Sequence, residues 1–247
     1  YSVYVKAIDN AGNEMVSDVV TGKTGSIPGG NSNITMSKYP ENWTNSTVQV
    51  TATSNHIGEY VLQYSLDGNN YEKYNGPITV RNNGQKVYAA LNDGTQRGEP
   101  ATITVDNIDT LVPNKFTPTI TGKTNNSITV NASNATDAPA TGTSGSSGIE
   151  YYQYSRDGIN WSAKTTSSTY TIGNLIPGET YNITVKVIDR AGNENTSNIV
   201  QGSTEEIPGG SNAINISYTP SYWTNRDVTV TIKALVSGYE LQYSKTG

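Results

Sequence analysis

Residues 1–21 read YSVYVKAIDNAGNEMVSDVVT, and residues 181–201 read YNITVKVIDRAGNENTSNIVQ. The second stretch is a copy of the first at an offset of 180. The match runs without a gap through residues 1–58 and 181–238, with roughly half of the positions identical, and a fixed period of this kind marks a repeat architecture. After a one-residue deletion it continues from Leu62-Gln63-Tyr64-Ser65 to Leu241-Gln242-Tyr243-Ser244.

A weaker half-repeat lies inside the period. Gln63–Tyr71 reads QYSLDGNNY and Gln153–Trp161 reads QYSRDGINW, an offset of 90. Each period therefore holds two related modules of about 90 residues, the size of a small β-sandwich.

Comparing the copies also orients the strands. Val5 and Lys6 are retained as Val185 and Lys186, which puts the valine inward and the lysine outward. Val61 becomes Glu240, so Tyr60, Leu62 and Tyr64 form the buried face of their strand.

Composition agrees with strands. The 247 residues include 17 Tyr and 24 Gly, with abundant Ser, Thr and Asn, and Thr, Val, Ile and Tyr favour pleated, half-buried surfaces. A net charge of −5 with 15% charged residues gives no basic footprint for nucleic acid and none for an anionic membrane surface. No apolar run reaches the ~18–20 residues of a membrane helix. The absence of cysteine rules out disulfides and thiol chemistry. Asn-x-Ser/Thr triplets such as those at Asn42 and Asn182 are what a chain rich in these residues produces by composition.

The reading divides the chain into 1–24, the C-terminal part of one module; 32–109, a complete module; 110–206, a second complete module; and 211–247, the N-terminal part of another. Pro28-Gly29-Gly30 and its twin Pro208-Gly209-Gly210 read as linkers. Asp67-Gly68, Asn83-Gly84 and Asp93-Gly94 are hairpin signals. Residues 131–148 form a long polar loop without periodicity.

Leu175-x-Pro177-Gly178-x-x-Tyr181-x-Ile183-x-Val185 resembles the E–F corner of a fibronectin type III domain, in which the tyrosine hydroxyl bonds back to the chain upstream. The 32–109 module, with Trp43-Thr44-Asn45 and Gln63-Tyr64-Ser65-x-Asp67-Gly68, resembles the bacterial Ig-like repeats of Firmicute surface proteins. The resemblance implies an all-β fold of tandem Ig-like and fibronectin type III β-sandwiches in an extended rod. It also implies an extracellular place, on a cell surface, secreted or on a virion. One departure stands out. The tryptophan of the second strand in fibronectin type III domains is missing, with Ala132 near its place, and Tyr152, Tyr154 or Trp161 is expected to fill that core.

The residues offer little chemistry. The single histidine, His56, is Val236 in the other copy and reads as a surface residue, so no triad or acid–base pair is in view. The reading assigns no catalytic residue, no cofactor and no metal ligand. The turns Asp9–Asn13 and Asp189–Asn193 each bring one Asp and one Asn, too few for calcium, which takes six to eight oxygens. The sharper alternative is a shared site at the module junction using Asp106, Asp109, Asp137 and Asp189. Carried over from the fibronectin type III pattern, the 133–148 loop and Asp189–Gly192 should face residues 106–113 and limit bending there. Tyr71 and Trp161 occupy one half-repeat position and are expected to pack across their hairpins, with sugar stacking as the alternative.

The function expected is a non-catalytic spacer or stalk in a long extracellular repeat protein. The alternatives are an adhesin or carbohydrate-binding array, whose partners would be a glycan or a host or cell-surface protein, and a phage fibre or decoration protein. The other expected partners are neighbouring modules of the same longer polypeptide. Residues 1–24 and 211–247 are read as partial modules in a window on that polypeptide, so Val3 and Val5 should lie uncovered where Val185 is buried.

Overall fold

Val48, Val50 and Ala52 are buried while Gln49 and Thr51 between them are only half-buried. Ile128 and Val130 alternate with Thr129 and Asn131 in the same way. Period-two chemistry has become period-two burial, which is what a strand with one face on a core requires. The computed structural model describes residues 1–22, 25–139 and 146–244, and of Asn212 the backbone alone. Among the described residues the regular elements are strands, apart from one short 3-10 turn at Gly210–Asn212. The chain divides into two units: Tyr1–Val112 with Asp137–Gly148 and Asp189–Asn193, and Pro113–Thr136 with Ile149–Ile188 and Glu194–Gly247.

The first unit opens with β1 (Ser2–Val3), β2 (Lys6–Ile8), β3 (Glu14–Val16) and β4 (Val20–Thr21), where β2 pairs with β3 and β1 with β4. The chain on each side of the Asp9–Asn13 turn is thus broken into two short strands. Ser17 marks the break: the Val5 amide donates to its Oγ at 2.9 Å, and its own amide donates to the Val5 carbonyl at 2.8 Å. Val3 and Val5 are 61% and 66% exposed, so the ~1.5–3 kcal/mol that full burial of a valine contributes is not realised there.

The sandwich of this unit is built from β5 (Thr35–Tyr39), β6 (Val48–Thr53), β7 (Val61–Ser65), β8 (Glu72–Lys73), β9 (Ile78–Val80), β10 (Gln85–Asn92) and β11 (Ala101–Val105). One sheet runs β5-β6-β9 and the other β11-β10-β7-β8. Val48, Val50, Ile78 and Val80 from the first meet Val87 and Val105 from the second in a single cluster. Leu62 is buried and Val61 exposed, the orientation read from the copies. The Pro-Gly-Gly stretch is not a free linker. Ile27 packs against the Ile34–Leu91 cluster, and the Gly30 amide donates to the Glu99 carbonyl at 2.7 Å. At Gly29 a Cβ would stand 2.5 Å from the Glu99 carbonyl oxygen, so only glycine lets the two backbones come this close.

The second unit contains β12 (Thr119–Lys123), β13 (Ile128–Asn131), β14 (Ile149–Ser155), β15 (Thr169–Ile172), β16 (Thr180–Asp189), β17 (Glu194–Thr196) and β18 (Val200–Ser203). Its sheets run β12-β13-β15 and β14-β16-β17, with β18 also on β16. Ser197 repeats the role of Ser17, accepting from the Val185 amide at 3.0 Å and donating its own amide to the Val185 carbonyl at 2.8 Å. Here, however, Val185 is fully buried.

Of the three aromatic residues expected to stand in for the missing tryptophan, Tyr154 does so. It is 2% exposed, stacks on Tyr170 at 5.0 Å, and donates its hydroxyl to the Ser167 carbonyl at 3.1 Å. Ala132 is buried beside it in the same core, Tyr152 packs at the edge, and Trp161 is half-buried. At the expected corner, the Ile176 amide donates to the Tyr181 hydroxyl at 2.8 Å.

The unit ends with β19 (Ile214–Thr219) and β20 (Thr229–Ala234), an antiparallel pair. Leu241–Ser244 repeats the sequence of β7, which is held by β10 and β8, but where a third strand would follow from that likeness these residues are not in a strand.

The outer faces of both sandwiches carry neutral cross-strand pairs. Ser37 meets Thr51 at 2.7 Å, Gln49 meets Thr79 at 3.0 Å, Thr129 meets Thr171 at 3.0 Å, and Asn131 meets Thr169 at 3.0 Å. Such pairs are the units of stabilisation on a sheet surface.

Candidate metal centre

Three of the four junction carboxylates come together in the first unit. One oxygen from each of Asp109, Asp137 and Asp189 lies within 4.8 Å of the other two. Asp106 does not join them. It lies on the surface and pairs with Lys38.

Each member of the trio is held by backbone amides. Asp109 follows β11, and Thr44 fixes it there: the Asp109 amide donates to the Thr44 carbonyl at 2.9 Å. Its Oδ1 accepts from the Leu111 amide at 3.1 Å and its Oδ2 from the Ser147 amide at 2.9 Å. Asp137 Oδ2 accepts from the Gly148 amide at 2.6 Å and the Ser147 hydroxyl at 3.3 Å. Asp189 ends β16 and closes its turn on Asn193, whose amide and side-chain Nδ2 donate to Oδ1 and Oδ2, each at 2.8 Å. The same Nδ2 donates to the Asp109 carbonyl at 2.9 Å, which ties the turn to the end of β11. Of the segments expected to meet, residues 106–112, the described residues of 137–148 and Asp189–Gly192 belong to one compact unit, whereas residues 133–136 and Pro113 belong to the other. Residues 140–145 lie outside the described residues.

The trio is deeply placed. Asp109 is 0% and Asp189 1% exposed, and Asp137 is half-buried with an Oδ1 that is inaccessible and has no hydrogen-bond partner among the described residues. Burial pushes the carboxyls of Asp137 and Asp189 above the usual carboxylate range, and the neighbouring carboxylates add to the shift. The amides from Gly148 and Asn193 pull in the opposite direction.

The first copy of the turn lacks this setting. Asp9 Oδ1 and Oδ2 accept from the Asn13 amide and Nδ2, each at 2.8 Å, and the turn is exposed. Taken alone, then, D-x-A-G-N is a self-contained turn, and what distinguishes the second copy is its neighbours. Sequence reasoning underrated Asn193, which serves both the turn and Asp109. Its signal was the final Asn of the motif.

The other candidates resolve as structural features. The Tyr71 ring carries the Arg97 guanidinium at 3.7 Å from its centre, and the Trp161 ring carries the Lys186 ammonium at 5.1 Å. Both aromatic residues are half-buried. His56 is also half-buried, 3.7 Å from Glu59 and edge-on to Tyr60. Asp67 and Asp157 organise identical turns. Each accepts three bonds of 2.7–2.8 Å from the two residues that follow its glycine.

A scan against family models finds no match, and a search of curated proteins finds none. Several solved structures are similar. The FN1–FN3 domains of chicken CNTN1 share 15% identity over 81% of this chain and 76% of theirs, with a TM-score of 0.35. Domains A168–A170 of titin share 12% over 82% and 74%, with a TM-score of 0.43. The chitinase ChiA74 of Bacillus thuringiensis shares 23% over 45% of this chain and 16% of its own, with a TM-score of 0.31. At these values the likeness carries no functional argument.

Proposed function

We propose that the chain is a stretch of a non-catalytic array of β-sandwich modules, serving as spacer or stalk in an extracellular bacterial repeat protein. The observation that carries this reading is that the two sandwiches have separate cores. Val48, Val50, Ile78, Val80, Val87 and Val105 close one, and a cluster around Tyr154, Ile183 and Val185 closes the other. A module that buries its own apolar surface can be strung into an array whose length follows repeat number. The rival reading, a sugar-binding array, would use Tyr71 and Trp161, and both rings already carry a protein cation. The test is a glycan array probed with the 247-residue chain, together with small-angle scattering of chains extended by whole periods. The spacer reading expects no glycan binding above background and a constant gain in maximum dimension per period. Saturable glycan binding abolished by Tyr71→Ala or Trp161→Ala would overturn it.

A further inference from the structure

Buried carboxylates normally come with a counter-charge, because an uncompensated buried charge is strongly disfavoured. Asp109, Asp137 and Asp189 have none among the described residues. No Lys, Arg or His nitrogen makes an ion pair with any of them. Arg190, the neighbour of Asp189 in sequence, directs its guanidinium to the Ser147 carbonyl at 2.8 Å. The chain between Pro139 and Ser146 is Ala-Thr-Gly-Thr-Ser-Gly and brings no positive side chain.

A second, separate observation points the same way. Asp137 Oδ1 is inaccessible to solvent and has no hydrogen-bond donor among the described residues. A buried carboxylate oxygen with no donor is expensive unless something else satisfies it. The other carboxylate oxygens of the trio accept from amides that fix their direction, and all of these but Asp137 Oδ2, which also accepts from the Ser147 hydroxyl, keep a second lone pair. The arrangement is a preset cluster of hard oxygen donors, carrying negative charge and short of one positive partner.

We propose that Asp109, Asp137 and Asp189 hold a divalent cation of the hard, oxygen-seeking class, calcium foremost. The donors are all oxygen, which excludes preference for soft metals. Calcium tolerates an irregular set completed by water, whereas magnesium demands near-ideal octahedral geometry. The cation supplies the missing charge and the missing partner of Asp137 Oδ1 together. The sequence assigned no metal and held a shared site of Asp106, Asp109, Asp137 and Asp189 as the alternative; the fold gathers three of those four. The proposal holds whether the array is a spacer or an adhesin.

The test uses the full 247-residue chain stripped with EDTA and then titrated with calcium chloride, followed by calorimetry and by thermal unfolding. A saturable site is expected, with a rise of several degrees in the unfolding midpoint, because a ligand bound only by the native state stabilises it. Asp137→Asn should weaken binding at least tenfold, while Asp106→Asn and Asp9→Asn should leave it unchanged. In EDTA, Asp137→Asn should melt no lower than the parent, which shows that it folds. No heat and no midpoint shift in the parent chain up to about 10 mM calcium, roughly tenfold beyond the ~1 mM weak limit of extracellular calcium sites, would overturn the proposal. Binding that is unaffected by Asp137→Asn would overturn it as well.

Discussion

The backbone amide of Ile176 donates to the hydroxyl of Tyr181 at 2.8 Å, across the turn that leads into β16. Tyr1 occupies the matching position in the first copy and is 86% exposed. Tyr181→Phe removes the acceptor and leaves the Ile176 amide to water. The expected loss is about 0.5–1.5 kcal/mol, the net worth of one such bond, read from urea unfolding of the second sandwich. Tyr1→Phe should be silent. Equal effects from the two substitutions would contradict the corner's role.

Asp67 and Asp157 should contribute stability that acid removes. The Asn70 amide, above all, holds the Asp67 carboxyl below its ordinary range, and the Asn160 side chain does the same for Asp157. A carboxyl depressed in the folded state contributes stability above its unfolded pKa and loses it as pH falls through the folded value. The unfolded value is 3.8, so the gap in melting temperature between the parent and an Asp67→Asn/Asp157→Asn double variant should be constant near neutrality. It should narrow only below about pH 4. Melting curves from pH 7 to pH 2 check this, and a gap that widened in acid would refute it.

Gly29 and Gly209 are twins in sequence and opposites in setting. A Cβ at Gly29 collides with the backbone of Glu99, while one at Gly209 meets nothing within 4 Å. Gly29→Ala should therefore cost about 1–3 kcal/mol, as overpacking does, whereas Gly209→Ala should stay within about 0.5 kcal/mol. Chemical unfolding of the two variants side by side decides it.

These cases show what the sequence could convey. The corner was legible because its residues lie within eleven positions, Leu175 to Val185, and each has a local job. Strand faces were legible because the copies differ at outward positions such as Val61 and Glu240. The occupant of the missing tryptophan's place was narrowed to three aromatics, and only packing selects Tyr154. The docking of Pro28-Gly29-Gly30 was not legible, since its partner Glu99 lies about seventy residues away and glycine signals a linker and a close approach alike. The carboxylate trio was half legible. Asp106 and Asp109 looked equivalent, and only the course of the chain after β11 sends one out to Lys38 and the other inward.

The neutral Ser, Thr, Asn and Gln pairs across the outer faces have a consequence for the medium the protein can occupy. Mobile ions weaken attraction between exposed charges, and the seams formed by Ser37 with Thr51, Thr129 with Thr171 and Asn131 with Thr169 contain no charge. The ion pairs present, such as Lys6 with Glu14 and Lys186 with Glu194, involve partly exposed groups and contribute little. Attraction across these seams therefore offers mobile ions no charge pair to screen.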